Sequence, residues 1–193
     1  MKRKSDTRGF SLVELIIVMG IMAVLTGVTF GVFGYLNTGK TKKASNKLNS
    51  KLTYIQTETM TKKGDTYLYL YKMSDGIYTC TINGLNTGNP SGFLSRSELD
   101  AYLAAHNVGD KICDSKVTIT GKGSTTLVLS ETNMLKVGYS KSTGAFTYSN
   151  DGSLADDGTL RNKEFLNRLE LKGKQTFYIK LIKATGKHYI ENP

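Results

Sequence analysis

Few side chains in this sequence have the type and spacing that enzyme chemistry requires. The two histidines, His106 and His188, stand alone, and each is more typical of a surface or structural position. No G-x-S-x-G, H-E-x-x-H or P-loop pattern occurs. Asp151, Asp156 and Asp157 could offer oxygens to calcium, but EF-hand spacing is absent and a solvated turn is the better interpretation. We therefore predict a protein that is not an enzyme and has neither a metal site nor a cofactor.

One carboxylate stands in an unusual place, because Glu14 lies at the start of a long apolar run. Between residues 15 and 36 the only ionisable side chain is Tyr35, which is neutral at pH 7, and there is no proline. As a helix, these roughly 22 residues would be about 33 Å long, enough to cross a hydrocarbon core of about 30 Å. A carboxylate one turn inside such a segment is costly unless it finds a partner, so Glu14 is a candidate functional residue.

A short basic segment precedes the apolar run. Residues 1–9 carry one acidic and four basic side chains: Asp6, Lys2, Arg3, Lys4 and Arg8. A secretory signal peptide has the same order of segments, but it also needs a small-residue cleavage site. No A-x-A pattern occurs over 26–45, and the apolar run is too long for a signal peptide. Charge counting leaves the membrane orientation open, because lysines also follow the run at Lys40, Lys42, Lys43, Lys47 and Lys51.

The heptapeptide GFSLVEL at residues 9–15 closely resembles the processing site of type IV prepilins and pseudopilins. The resemblance implies that a membrane-embedded prepilin peptidase cuts after Gly9 and that Phe10, the new N-terminus, is methylated. It also implies that Glu14 acts in filament assembly. Its carboxylate would pair with the charged amine of Phe10 on the same or a neighbouring subunit.

The same resemblance implies partners and a location. The partners would be other copies or other pilins in a helical filament, the peptidase/methylase, an inner-membrane assembly platform, and the membrane before assembly. The chain would first span the bacterial cytoplasmic membrane once, with its N-terminus inside. It would then leave the bilayer for a filament at the cell surface.

Beyond residue 36 the helix is predicted to continue as an amphipathic half over residues 37–63. Its apolar stripe has helical spacing at Ala44, Leu48, Leu52 and Ile55. Lysines on a neighbouring face are expected to meet water or other subunits: Lys40, Lys43, Lys47 and Lys51. Basic residues followed by Gly64 predict the end of a helix of roughly 50 residues.

Residues 64–193 are predicted to form a head domain rich in strands. Tyr and Leu alternate over 66–73, and an Asp75-Gly76 turn leads into a second strand, a strong hairpin signal. Ser95 and Glu98 form a capping-box pattern that begins a short helix ending near His106. Loops are expected over 83–92 and 150–158. Further strands are expected over 116–120, 125–130, 135–139 and 145–148, a second helix over 160–169, and a last hairpin from 176–184 and 188–190.

The expected fold class is α+β, with a long N-terminal α-helix packed on an antiparallel β-sheet head, the pilin fold that the resemblance implies. The expected divisions are a cleaved leader (1–9), a transmembrane or filament-core half-helix (10–36), an amphipathic half-helix (37–63) and the head (64–193). The order of elements after the helix loosely resembles minor pilins and H-type minor pseudopilins.

Two cysteines, Cys80 and Cys113, are the only ones in the chain. In a head outside the membrane they could form a disulfide closing a loop of about 33 residues, worth roughly 3–4 kcal/mol by loop entropy. The alternative is two buried free thiols. Two cysteines and two histidines at these spacings do not form a zinc-site pattern.

The charge balance keeps a second class of function open. The formal net charge is +10, which suits a surface solvated by lysines but also a surface that binds nucleic acid or another polyanion. The leading hypothesis is a structural subunit of a type IV pilus or pilus-like filament. The alternative is a minor pilin or pseudopilin of a competence or type II secretion system that binds DNA or a surface. A third possibility, a plain single-pass anchored domain, predicts an uncut leader.

Overall fold

The computed structural model describes residues 11–64, 66–83, 95–123, 126–150 and 166–191, with all of their side chains except those of 28–38 and 148–150. The loops expected after Asn83 and Asn150, with the calcium candidates Asp151, Asp156 and Asp157, lie outside the described residues. The chain divides into two compact units, Met1–Asn37 and Thr38–Pro193. We call the second unit the head; it contains residues 38–63 in addition to the predicted head domain over 64–193.

The first described element is a 50-residue helix, α1, over Leu12–Thr61. Its length agrees with the helix that the sequence predicts. The elements that follow are β1 (Thr66–Met73), β2 (Gly76–Asn83), α2 (Arg96–His106), β3 (Asp110–Asp114), β4 (Thr118–Gly123), β5 (Thr126–Val128), β6 (Met134–Tyr139), β7 (Phe146–Asn150), β8 (Leu166–Lys172), β9 (Thr176–Leu181) and β10 (His188–Glu191).

The strands form two five-stranded sheets. Sheet A has the order β3-β2-β1-β6-β7, and sheet B has the order β10-β9-β8-β4-β5. Every described pairing is antiparallel. The α+β class, with an N-terminal helix and antiparallel strands, is therefore confirmed, although the sequence predicted one sheet. The finer assignment to the pilin fold stays a prediction.

The apolar stripe of α1 forms one side of the head's main core. Ala44, Leu48, Leu52 and Ile55 are fully buried, as their helical spacing predicted. They belong to one hydrophobic cluster with residues of both sheets, among them Leu68 of β1 and Ile179 of β9. All described members of this cluster lie in 38–193, so the head has a core of its own.

Strand β1 is buried on both faces, which explains its alternation of Tyr and Leu. Leu68 and Leu70 belong to the main cluster, while Tyr67, Tyr69 and Tyr71 belong to a second cluster on the opposite face. Side chains alternate along a strand, so a strand with two buried faces needs an apolar or aromatic residue at every position.

Helix α2 supplies Leu99, a fully buried member of the second cluster. Its predicted capping box is confirmed. The Glu98 backbone N–H donates to the Ser95 hydroxyl at 3.3 Å, and the Ser95 backbone N–H donates to the Glu98 carboxylate at 2.6 Å. Two of the unpaired N–H groups at the helix start are satisfied in this way.

Two turns with nearly the same sequence join the sheets. Residues 141–144 (KSTG) and 183–186 (KATG) connect β6 to β7 and β9 to β10, and we call them the twin turns. Gly144 and Gly186 both have φ of 67°. The Gln56 amide of α1 donates to the Gly144 carbonyl at 2.8 Å, and the Phe146 N–H donates to the Lys183 carbonyl at 3.1 Å. The twin turns therefore connect both sheets and link them to α1.

The helix expected over 160–169 is wrong for its described part, because Leu166 to Leu169 lie in β8. Leu166 and Leu169 are both buried, which is the i, i+3 spacing of a helix. The register with β4 shifts at this point, with Gly123 opposite Leu166 and Lys122 opposite Arg168. The extra residue of this bulge turns both leucines to the same face.

Strand β3 was not predicted, because three of its five residues are charged and only Ile112 and Cys113 have strand-forming side chains. It is an edge strand of sheet A that α1 holds by lysines. Lys40 Nζ lies 3.5 Å from the Asp114 carboxylate, Lys47 donates to the Lys111 carbonyl at 2.5 Å, and Lys51 pairs with Asp110. Lys40 is exposed, as expected, but the expectation that these lysines face water or other subunits is wrong for Lys47 and Lys51, which are half-buried against β3.

The two cysteines are free thiols, so the possible disulfide is not what the structure contains. Cys113 pairs with Ile77 on β2, three residues from Cys80. Cys113 belongs to the main cluster and Cys80 to the second cluster, on the other face of sheet A. A disulfide needs Cβ atoms about 4 Å apart, which two side chains on opposite faces of a sheet do not reach.

Candidate assembly segment

The start of α1 positions Glu14, the residue expected to act in assembly. The Ser11 hydroxyl accepts from the Glu14 backbone N–H at 3.4 Å, and the Ser11 carbonyl accepts from the Leu15 N–H at 3.2 Å. Ser11 thus has the contacts of an N-cap, with Glu14 at the third helical position. The Glu14 carboxylate is exposed and lies in the first turn, where the helix dipole favours negative charge. Gly9 and Phe10 lie outside the described residues.

The helical segment from Leu12 to Gly27 exposes apolar side chains on every side. The exposed fraction of its large apolar side chains runs from 48% at Val18 to 75% at Leu12. The exposed set is Leu12, Val13, Leu15, Ile16, Ile17, Val18, Met19, Ile21, Met22, Val24 and Leu25. A helix that is apolar all round requires a partner surface, either lipid or other protein.

Thr26 shows how this segment accommodates a hydroxyl. Its Oγ1 donates to the Met22 carbonyl at 2.6 Å, one turn back. The hydroxyl is satisfied inside the helix, so it needs no water or external partner. Glu14 is the one ionisable side chain between Leu12 and Gly27.

Within the described residues, no helix meets the combined length and apolarity that crossing a membrane would require. The single-pass anchor over residues 10–36 is therefore not confirmed and stays a prediction.

The head contains a buried lysine that the sequence reasoning missed. Lys136 of β6 is 0% exposed, and its Nζ lies 4.0 Å from the centre of the Tyr67 ring and 5.2 Å from that of Tyr69. Burial lowers the pKa of Lys136 to about 6, while the two ring faces favour the charged amine. The only signal in the sequence was a lysine inside an otherwise apolar strand.

His188 is structural, as its isolation in the sequence predicted, and it lies where the second twin turn meets α1. The Thr53 hydroxyl lies 3.0 Å from Nε2, and the Gly186 carbonyl lies 3.1 Å from Nδ1. Burial lowers the pKa of His188, because the charged ring loses solvation there. His106, in contrast, is exposed in the last turn of α2 and stacks on Tyr102 at 4.2 Å.

Among the residues that the structure describes, no three His, Cys, Asp or Glu side chains come close enough together to hold a metal ion. Glu14 and the exposed apolar surface around it form the candidate site, and we call residues 11–27 the assembly segment.

Comparisons with known proteins bear on this segment. Searches among curated proteins and among solved structures found no match to the chain. The comparison with protein families matches residues 4–30, which contain Lys4 and Arg8, the Gly9-Phe10 junction and Glu14. The matched family is the prokaryotic N-terminal methylation motif, so the chain carries the prepilin signal of type IV pilins and pseudopilins.

Proposed function

We propose that the protein is a structural subunit of a type IV pilus or a related pilus-like filament. A prepilin peptidase cuts the chain after Gly9 and methylates Phe10, and the mature subunit polymerises through its N-terminal helix. The observation that carries this proposal is the methylation motif over residues 4–30. The exposed apolar surface of the assembly segment, which lies within the matched residues, also supports it.

The apolar surface of the assembly segment supplies the driving force for association. Before assembly, residues 10–36 lie in the bilayer and are surrounded by lipid. Lipid tails are as apolar as leucine, so exchanging lipid for a neighbouring helix gains little from water exclusion. Dispersion contacts between close-packed helices and specific polar pairs then determine whether the subunit leaves the bilayer.

Glu14 supplies one member of such a polar pair, and the amine of Phe10 would supply the other. Along the chain, Glu14 follows the N-terminus that cutting after Gly9 would create by four residues. A methylated amine on Phe10 remains positive, so the two groups attract each other within one subunit or between neighbours. Removing one partner of a buried ion pair typically costs about 3–5 kcal/mol. An unpaired Glu14 in lipid therefore favours docking beside a free N-terminus.

The mass of the mature N-terminus tests the proposal. Filaments sheared from cells and digested with a protease should yield an N-terminal peptide that begins at Phe10 and carries one added methyl group. A chain expressed without prepilin peptidase is the control and should keep residues 1–9. Surface material that still carries the leader would refute the proposal and favour a plain single-pass anchor.

The DNA-binding alternative receives no specific support from the described residues. Lys47 and Lys51, which could have contributed to a polyanion site, contact β3 of the same chain.

A further inference from the structure

The head carries a cluster of exposed lysines around the first turns of α1 that belong to it. Three segments contribute: α1, the turn between β3 and β4, and the turn between β8 and β9. The residues are Lys40, Lys42, Lys43, Lys116, Lys172 and Lys174, and all six are exposed. We call this set the basic collar.

Contacts between the three segments hold the collar together. Thr41 of α1 is fully buried against Gly173, so closely that a methyl group added to Gly173 would meet the Thr41 side chain. The neighbouring Lys172 pairs with Thr118 in the β8–β4 register, and the Thr118 hydroxyl donates to the Lys172 carbonyl at 3.3 Å. These contacts place the β8–β9 turn and the start of β4 beside the same turn of α1.

A separate contact attaches the β3–β4 turn to α1. Lys40 Nζ lies 3.5 Å from the Asp114 carboxylate. The Val117 N–H donates to the Asp114 carbonyl at 3.1 Å and closes the tight turn that carries Lys116. Asp114 and Lys116 therefore lie at the same level of α1 as Lys40.

The collar is strongly positive among the described residues. Asp114 is shared between Lys40 and Lys111, whose Nζ lies 3.6 Å from its carboxylate. Glu170, two residues before Lys172, pairs with Lys122 at 2.5 Å. Lys42, Lys43, Lys116, Lys172 and Lys174 form none of the ion pairs found among the described residues.

We propose that the basic collar binds the anionic headgroups of a phospholipid bilayer and holds the head at the membrane surface before assembly. Lys40 follows the apolar run by four residues, so the collar begins where a chain leaving the hydrocarbon core would meet headgroups. Successive residues of a helix are about 100° apart, so Lys40 and Lys43 lie roughly 60° apart on one face of α1, and Lys42 lies roughly 100° beyond Lys43. The β8–β9 turn with Lys174 lies on the side between Lys40 and Lys42, where Gly173 meets Thr41.

This arrangement of lysines suits a flat membrane surface better than a nucleic-acid duplex. A ring of charges around a helix axis faces a flat surface that the helix crosses, whereas a nucleic-acid duplex needs a stripe or groove that follows its backbone. Lysines next to an anionic leaflet each add to binding, and their effect falls off within a Debye length. The position of the bilayer rests on the proposed function, but the lipid affinity of the head does not.

The head alone, residues 38–193, tests the proposal, because both described hydrophobic clusters lie inside it. Co-sedimentation should show binding to vesicles of phosphatidylglycerol and phosphatidylcholine, and little binding to vesicles of phosphatidylcholine only. The triple variant Lys42→Gln, Lys116→Gln and Lys174→Gln should lose about a hundredfold in apparent affinity.

A matched variant removes the same charge elsewhere. Lys63→Gln, Lys141→Gln and Lys187→Gln also change three exposed lysines outside the collar, and this variant should bind nearly as the unmodified head does. Equal losses in the two variants would refute the collar and leave only a net-charge effect.

Three further outcomes would also overturn the proposal. In the first, the head binds phosphatidylcholine vesicles as well as it binds the anionic vesicles. In the second, inorganic phosphate displaces the head from anionic vesicles, but chloride at the same ionic strength does not. In the third, the head binds duplex DNA through the collar lysines but does not bind vesicles. The last outcome would instead support the nucleic-acid alternative. Because the fragment lacks Gly9, Phe10 and Glu14, a failure of the collar leaves the filament proposal standing, and the reverse holds.

Discussion

The contact between the twin turns predicts a large loss of stability for Gly186→Ala. Gly186 has φ of 67°, a conformation that costs an L-residue roughly 1–2 kcal/mol. A Cβ there would also overlap the Gly144 carbonyl and lie 2.7 Å from Gln56 Nε2. The Gly144 carbonyl is backbone and accepts the Gln56 hydrogen bond, so the clash cannot be relieved by rotating a side chain.

The magnitude follows from these contacts. The backbone penalty of roughly 1–2 kcal/mol and the loss of one hydrogen bond worth about 0.5–1.5 kcal/mol together destabilise the head by about 2–3 kcal/mol. For a domain of this size, each kcal/mol lowers the melting temperature by roughly 2–4 °C, so we expect a decrease of about 4–12 °C. Circular dichroism of residues 38–193 during heating measures this shift.

Gly144→Ala is the matched control for this prediction. Gly144 has the same φ of 67°, but its added Cβ would meet the Met60 sulfur at 2.9 Å, the flexible end of a side chain. We expect Gly144→Ala to cost only the backbone penalty, roughly 1–2 kcal/mol. A Gly186→Ala head that is as stable as the Gly144→Ala head would show that the turns do not press on each other as described.

Three other perturbations test separate parts of the molecule. Glu14→Ala should leave the protein membrane-inserted but greatly reduce its incorporation into filaments, as measured by the ratio of sheared to membrane-bound subunit; normal incorporation would remove the proposed role of Glu14. Because burial lowers the pKa of Lys136 to about 6, the unfolded chain binds one more proton than the head between about pH 7 and pH 8, so the free energy of unfolding should rise by about 1.4 kcal/mol per pH unit there. Denaturant titrations should show that Lys136→Met abolishes this dependence of the unfolding free energy on pH. If the variant and the unmodified head have the same dependence, the buried amine stays charged. Burial raises the pKa of Cys80 and of Cys113 to about 11, so both thiols should resist alkylation in the native head, and two free thiols should be counted in denaturant without reductant.

Several elements of the head could be predicted because their signals are local. The turn signal around Asp75 predicted the β1–β2 hairpin, which the structure forms with Ser74 and Asp75 as its turn and Gly76 paired with Met73. Ser95 and Glu98 close a hydrogen-bonded box within one helical turn. The stripe that contains Leu48 and Leu52 depends only on helical periodicity. In each case the residues that carry the signal are only a few positions apart in the sequence, so their geometry does not depend on distant partners.

Other features escaped the sequence because distant partners decide them. Leu166 and Leu169 have helical spacing, yet pairing with β4 places them in a strand with a bulge. The two cysteines lie on adjacent strands, and only the pleat of sheet A puts them on opposite faces. Strand β3 exists because β2 and the lysines of α1 hold it, while its own sequence has almost no strand pattern.

The sequence alone determined the assembly segment of this protein. The Gly9-Phe10 junction, the offset to Glu14 and the unbroken apolar run are consecutive along the chain, so reading them needs no knowledge of the fold. Only the tertiary structure revealed the basic collar, the twin turns and the buried Lys136. Their residues are up to about 130 positions apart, and hydrogen bonds and packing in the folded head bring them together.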